Sequence, residues 1–292
     1  MNPKLKYWLA LNNLPKTGPV KIKKLLEKYK TSEAACLAEK CSFDWAEQEI
    51  ERAENKKIKI FCPEDEEYPE NLKNIYDPPV ALYVRGKLLK QDKKSLAIVG
   101  TRRATQSGLE VAGKFAYDLS NLGITIISGL AMGIDAAAHF NAKRTIAVFG
   151  SGVDQVYPKV NSKLAEKILD EGGALISEFP LGMLPEKWTF PQRNRIISGL
   201  SLGVIVVEGA EDSGALITAR LALEQGREVF AVPGSIQSAV AKGPNSLIKQ
   251  GAKLIQSIDD ILEELEPVLG IKSIVRKLSL TFRNIRTQNR KY

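Results

Sequence analysis

The chain has 292 residues, 44% of them hydrophobic, with 42 Lys and Arg against 34 Asp and Glu for a formal net charge of +8. That length buries a sizeable core in one large domain with room for a small second one, and the hydrophobic fraction is that of an ordinary soluble globular protein. A single histidine argues against a histidine-rich metal centre, no apolar run approaches the roughly 18–20 residues of a membrane span, and charged and amide residues stand where a secretory leader needs an apolar stretch.

Cys36, Cys41 and Cys62 are odd in number and lack CxxC spacing, so reduced thiols and a cytoplasmic location are expected. The charge is unevenly spread. Residues 270–292 hold seven basic side chains (Lys272, Arg276, Lys277, Arg283, Arg286, Arg290, Lys291) and no acids, which leaves 35 basic against 34 acidic residues elsewhere. A DNA-binding surface on the body therefore has to be a local cluster and not a global field.

Residues 1–60 read as a small helical domain. Tyr7, Trp8 and Leu11 share an amphipathic face, Pro15 to Pro19 punctuate, and Ile22, Leu25 and Leu26 restart a lysine-rich helix. Leu14 to Val20 has a faint helix-hairpin-helix character, which would hold a DNA phosphate on backbone amides, but the second glycine of that pattern is absent; a helical accessory domain with a solvated lysine face is the plainer reading. Residues 61–92 form a connection with strand character, in which Ala81 to Val84 is an expected edge strand closed by Arg85 and Gly86.

From Ser95 the pattern is strand, turn, helix, repeated, with apolar runs at 96–99, 124–127, 146–149, 174–177, 204–207, 228–232 and 252–255. This predicts an α/β fold with a mostly parallel, doubly wound sheet over 61–265, ending in a short acidic helix from Asp259 to Leu265 and followed by a basic tail over 266–292. No internal sequence repeat is visible.

Ligands of open α/β sheets bind beyond the carboxyl ends of the strands, and every unusual polar cluster of this chain falls at such an end. Gly100, Thr101, Arg102 and Arg103 follow the first run of the repeating region, and Ser128 and Gly129 follow the next, before a Met132–Asp135 turn. Then come Lys159 and Asn161, the latter placed to cap the helix that runs to Leu169, and Arg193, Asn194 and Arg195 after a long loop. Ser213 and Gly214 open a further helix. Glycines permit close backbone approach, and helix N-termini with arginines favour bound phosphates.

Bland alternatives stand beside each of these. The glycines serve equally as turn formers, Asp135 as a helix-start residue, His139 as a packed histidine, and Arg193 and Arg195 as partners of Glu178 or Glu208 in a structural network. Two arginines directly after a buried strand are the hardest to explain by packing. No Walker loop, dinucleotide fingerprint or Gly-x-Ser-x-Gly elbow occurs, and no spacing pairs a nucleophile with Glu178 or Glu208. No catalytic residue, cofactor or metal is assigned.

Val99-Gly100-Thr101-Arg102, Ser128 to Asp135, Phe190 to Arg195, and Val229 to Gly234 resemble, in order, the motifs of the DprA/Smf family. The resemblance implies an extended Rossmann-like domain preceded by a small SAM-like helical domain. It further implies a basic pocket for single-stranded DNA, a homodimer, and loading of the RecA recombinase onto incoming DNA during natural transformation. It places the family's DNA-binding arginine on Arg102 and its lysine on Lys159, sets Arg193, Asn194 and Arg195 in the same region, and matches Ser213, Gly214 and Asn245 to further motif positions. Two departures stand out: the segment between His139 and Ile146 is shorter than usual, and the residues after Leu265 are too few for the winged-helix domain with which many members end, so that domain is expected to be absent. The rival expectation is a nucleotide or phosphoribosyl hydrolase on a related fold, although its Pro-Gly-Gly-x-Gly-Thr loop is missing.

Overall fold

The apolar runs from Leu96 onward become strands rich in Val and Ile, the residues favoured where a pleated surface is covered on both faces. A computed structural model describes residues 2–269; residues 270–292, and with them most of the expected basic tail, lie outside the described residues. The N-terminal helices are α1 (Leu5–Asn12), α2 (Pro19–Tyr29), α3 (Ser32–Ala38) and α4 (Asp44–Asn55), followed by β1 (Lys59–Phe61), α5 (Glu70–Lys73) and β2 (Leu82–Gly86). Strand–helix repetition then runs through β3 (Ser95–Val99), α6 (Gln106–Asn121), β4 (Thr125–Ser128), α7 (Ile134–Asn141), β5 (Thr145–Val148), α8 (Ser162–Asp170) and β6 (Ala174–Ser177). It continues with α9 (Thr189–Leu200), β7 (Gly203–Val206), α10 (Gly214–Glu224), β8 (Glu228–Ala231), α11 (Lys242–Lys249), β9 (Lys253–Leu254) and α12 (Ile258–Leu269).

These strands make one nine-stranded sheet in the order β1-β2-β6-β5-β4-β3-β7-β8-β9. From β6 to β9 every pairing is parallel, while β1 pairs with β2, and β2 with β6, antiparallel. The expected edge strand is therefore interior: β2 lies between β6 and β1, and β1 is the edge. Strand β1 leaves little trace in the sequence, because its three residues follow a lysine-rich helix end and are too short a run to display strand alternation.

Period-two alternation sends neighbouring residues of one strand into opposite cores. In β3, Ala97 and Val99 join the layer beneath α9, α10 and α5, whereas Leu96 and Ile98 face α6, α7 and α12. The chain winds from β3 to β6 in one direction, then returns to β7 on the other side of β3. That reversal puts the topological switch point between β3 and β7, where a crevice opens outside the strand ends.

The N-terminal helices pack on the sheet itself: Leu5, Leu9, Ile22 and Ala46 share a core with Tyr83 of β2, Ala165 and Ile168 of α8, and Leu181. A polar clasp adds to this contact. The carboxylate of Glu49, 1% exposed, accepts the Leu181 N–H at 2.7 Å and an Arg52 N–H at 2.9 Å, while Arg52 also donates to the Leu181 carbonyl at 3.0 Å. Lys56 bonds Asp154, whose other oxygen accepts the Gly182 N–H at 2.8 Å. Replacing Glu49 by Ala strands a buried N–H and should cost about 1–3 kcal/mol in denaturant unfolding, whereas Glu49→Gln, which keeps an acceptor, should cost less.

Candidate functional site

A cleft of about 360 Å³ lies at the switch point, lined by Thr101, Arg102 and Arg103 after β3, Ala131 and Asp135 after β4, Phe190, Arg193 and Asn194 of α9, and Ser213 and Gly214 at the start of α10. The β3 turn is held by its neighbours. Thr101 donates its N–H to the Glu208 carbonyl at 2.7 Å, and its own carbonyl accepts from Ile134 at 3.3 Å. Gly133 sits at φ +78°, and a Cβ there would stand 2.3 Å from the Thr101 carbonyl oxygen, so only glycine lets α7 begin this close to the β3 turn. Arg102 and Arg103 are left exposed at the rim. The Arg102 guanidinium lies 5.4 Å from the Phe190 ring centroid, and the Tyr157 ring, 45% exposed, packs 5.8 Å from Phe190 at 43°. A cation on an aromatic face beside a second ring suits an alternation of phosphates and flat bases.

Arg193 has a different position. It is 6% exposed and donates to the Gly129 carbonyl at 2.7 Å and to the Val148 carbonyl, and burial lowers its pKa to about 10 against the attraction of Asp135. The Asp135 carboxylate accepts from the Gly129 N–H at 3.0 Å and the Ala131 N–H at 3.4 Å; burial pushes its pKa up, while Arg193 and those N–H groups pull it down. Gly129 leaves the space that the Arg193 guanidinium fills, since a Cβ there would meet it at 2.4 Å. Arg195 lies outside the cleft lining, buried between Glu178 and Asp77, with Nε 3.1 Å from the Asp77 carboxylate.

The remaining expected positions are spread around the cleft. The buried hydroxyl of Ser128 donates to the Ile98 carbonyl at 2.6 Å and so stitches β4 to β3. Lys159 is exposed in a 3₁₀ turn before α8. Asn161 stands at the start of α8 without capping it; its amide donates to the Leu130 carbonyl at 2.9 Å, because that carbonyl, at the end of a left-handed residue, has no ladder partner. Asn245 clasps Gly234 through two bonds of 3.1 and 2.9 Å, away from the cleft.

Two of the helices that start around the cleft, α6 and α10, treat their N-termini differently. At α6, Thr105 accepts the Gly108 N–H at 3.0 Å, and the Glu208 carboxylate takes the Thr105 N–H at 2.9 Å and its hydroxyl at 2.5 Å. An internal anion thus fills the place where the strand–glycine–helix pattern suggested a bound phosphate. At α10 no side chain caps the helix, and the Ser213 hydroxyl is buried without a partner. Sequence reasoning missed Phe190 and Tyr157 as members of this site; the available signal was that each aromatic directly adjoins a motif residue group, Tyr157 before Lys159 and Phe190 before Arg193.

His139 is fully buried. Thr145 donates its hydroxyl to Ile126, so it accepts from the Nδ1–H of His139 at 2.6 Å, which leaves Nε2 to accept the Leu130 N–H at 3.3 Å. Leu130, with φ +56°, is thus fixed from both sides by His139 and Asn161. Burial, with the nearby Arg193 charge, lowers the His139 pKa to about 3.

An extended Rossmann-like sheet with an arginine-rimmed cleft at its switch point defines the class, an α/β protein with a cationic crevice outside its strand ends. The sequence profile described as DNA recombination-mediator protein A matches residues 59–266, and the chain belongs to this DprA/Smf family. DNA processing protein DprA of Bacillus subtilis is 50% identical over 204 residues, 68% of each chain, and Protein Smf of Escherichia coli is 49% identical over 211 residues, covering 70% of this chain and 56% of Smf. Among solved structures, Streptococcus pneumoniae DprA superposes with a TM-score of 0.74 at 37% identity, covering 88% of this chain and 96% of that one. DNA processing protein A from Helicobacter pylori, solved for its single-stranded DNA binding mode, gives 0.65 at 30% identity over 72% of this chain and 95% of that one.

The chain's one histidine gives a pH test. Its folded pKa lies below the unfolded value of about 6.5, so unfolding takes up a proton, and the stability held above that value is lost as pH falls toward the folded pKa. Stability measured by urea unfolding should fall by about 1.4 kcal/mol more in the native chain than in His139→Gln between about pH 7.5 and pH 5.5. Equal falls would contradict a buried neutral imidazole.

Proposed function

We propose that this protein binds single-stranded DNA in the switch-point cleft, acts as a homodimer, and hands the strand to a recombinase of the RecA type in DNA processing during natural transformation. The observation that carries the reading is Arg102, exposed at the rim with its guanidinium on the Phe190 ring, in a cleft that the uncapped start of α10 also lines. Arg102 and Arg103 meet phosphates, Lys159 adds a charge at the rim, and Phe190 with Tyr157 receives bases. Arg193, Asp135 and Arg195 build the floor and flank instead of touching DNA. The single-stranded DNA binding mode reported for the Helicobacter pylori relative supports single-stranded DNA as the ligand.

A binding role fits the carboxylates better than a hydrolytic one. Glu208, held by Thr105, and Glu178, held through one oxygen by Arg195, both stand outside the cleft lining. For the homodimer, Val229 to Ala231 serve the internal core of the sheet, whereas Ile236 (88% exposed) and Leu254 (42% exposed) near α11 offer a surface for a second copy. No helix among the described residues is long and apolar enough to cross a membrane.

Fluorescence anisotropy with labelled oligo-dT and the matching duplex, over a salt series, tests the reading. The chain should prefer the single strand with or without residues 270–292. Arg102→Ala should weaken binding by about tenfold and make log K less steep in log salt by about 0.7. An unchanged affinity and slope in Arg102→Ala would remove the cleft from the assignment.

A further inference from the structure

A second concavity, of about 1070 Å³, runs between α6, α7 and the start of α8. Arg102 and Arg103 line both it and the cleft, so the two are continuous at the rim. From there the trough passes Lys114 on α6 and Lys163 on α8, both exposed and without a salt-bridge partner among the described residues. Between them stand two apolar side chains with little to cover them, Phe140 (62% exposed) and Val160 (71% exposed). Lys167 is already committed: it donates to the Phe140 carbonyl at 3.2 Å and to Glu171 at 2.6 Å, with its ammonium 5.3 Å from the Phe140 ring centroid. The acid lining the trough is Glu110, which accepts from Gln106 at 2.9 Å.

We infer that this trough carries the single strand onward from the cleft, with Lys114 and Lys163 on phosphates and Phe140 and Val160 against bases. The inference rests on the reading of the cleft as a DNA site. Cations outnumber acids along the lining, and free ammonium groups alternate with exposed apolar side chains, the pattern that an unpaired polynucleotide complements. A duplex keeps its base faces stacked inside and has none to offer Phe140 or Val160. From Gln106 to Lys114 the helix rises about 12 Å, room for about two to three nucleotides beyond the cleft.

The test compares oligo-dT of about four and about twelve nucleotides, the first short enough for the cleft alone and the second long enough to reach the trough. In the double variant Lys114→Glu/Lys163→Glu, affinity for the longer oligonucleotide should fall by about tenfold or more and its salt slope should shrink by about 1.4, while the shorter one binds as before. Unchanged affinity and slope for the longer strand would overturn the inference, as would an equal loss for both lengths, which would indicate a general field and not a path. Arg102→Ala separates the two readings. If only the trough inference fails, that variant still weakens both oligonucleotides; if the cleft reading fails, it weakens neither.

Discussion

A guanidinium shut away from water fixes the floor of the cleft. Arg193 reaches from α9 to the carbonyls at the ends of β4 and β5, and Asp135 answers it while gathering the N–H groups of Gly129 and Ala131. The two side chains make no direct ion pair, but each lies in the other's field, so losing one leaves the other with less to offset its burial. The effect of Arg193 is on shape. It binds the α9 helix, which carries Phe190, to the strand ends, and so sets the ring against which Arg102 rests.

The electrostatics follow from where internal anions already sit. Glu208 neutralises the start of α6, and Asp135 occupies the amides at the β4 turn, so two positions that could hold a phosphate are filled from within. What remains is the α10 start and the arginines at the rim. The near balance of charge over the body, outside residues 270–292, is thus compatible with a locally positive mouth, because the acids of the cleft are turned inward toward helix starts. The same inward turning leaves Arg102 and Arg103 as the cations a ligand meets first.

Much of this was legible in the sequence. Unbroken apolar runs such as Leu96 to Val99 identify strands covered on both faces, and glycines and polar clusters at their ends mark the crevice; both follow from local periodicity. The roles of the individual arginines were not legible. Arg102, Arg193 and Arg195 look alike as letters, and only the three-dimensional partners separate an exposed cation from two internal ones. Asn161 looked like a cap because it stands before a helix, but the stronger demand came from a carbonyl thirty-one residues earlier. Phe190 read as part of a motif and not as a surface, since stacking on Arg102 depends on how the long loop after β6 returns the chain to the cleft.

The sheet order has a consequence for how the chain is made. Gly86 of β2 pairs with Ala174 of β6, about ninety residues downstream, and Glu49 finds its amide partner only at Leu181. At about 5–20 residues per second, the N-terminal helices and the β1–β2 hairpin leave the ribosome roughly 5–20 s before their partner strand exists. During that interval their apolar faces and the open edge of β2 are exposed, and contacts so distant in sequence close slowly. The start of this protein is completed by its middle, so the nascent chain, more than the finished fold, is where a chaperone would find something to hold.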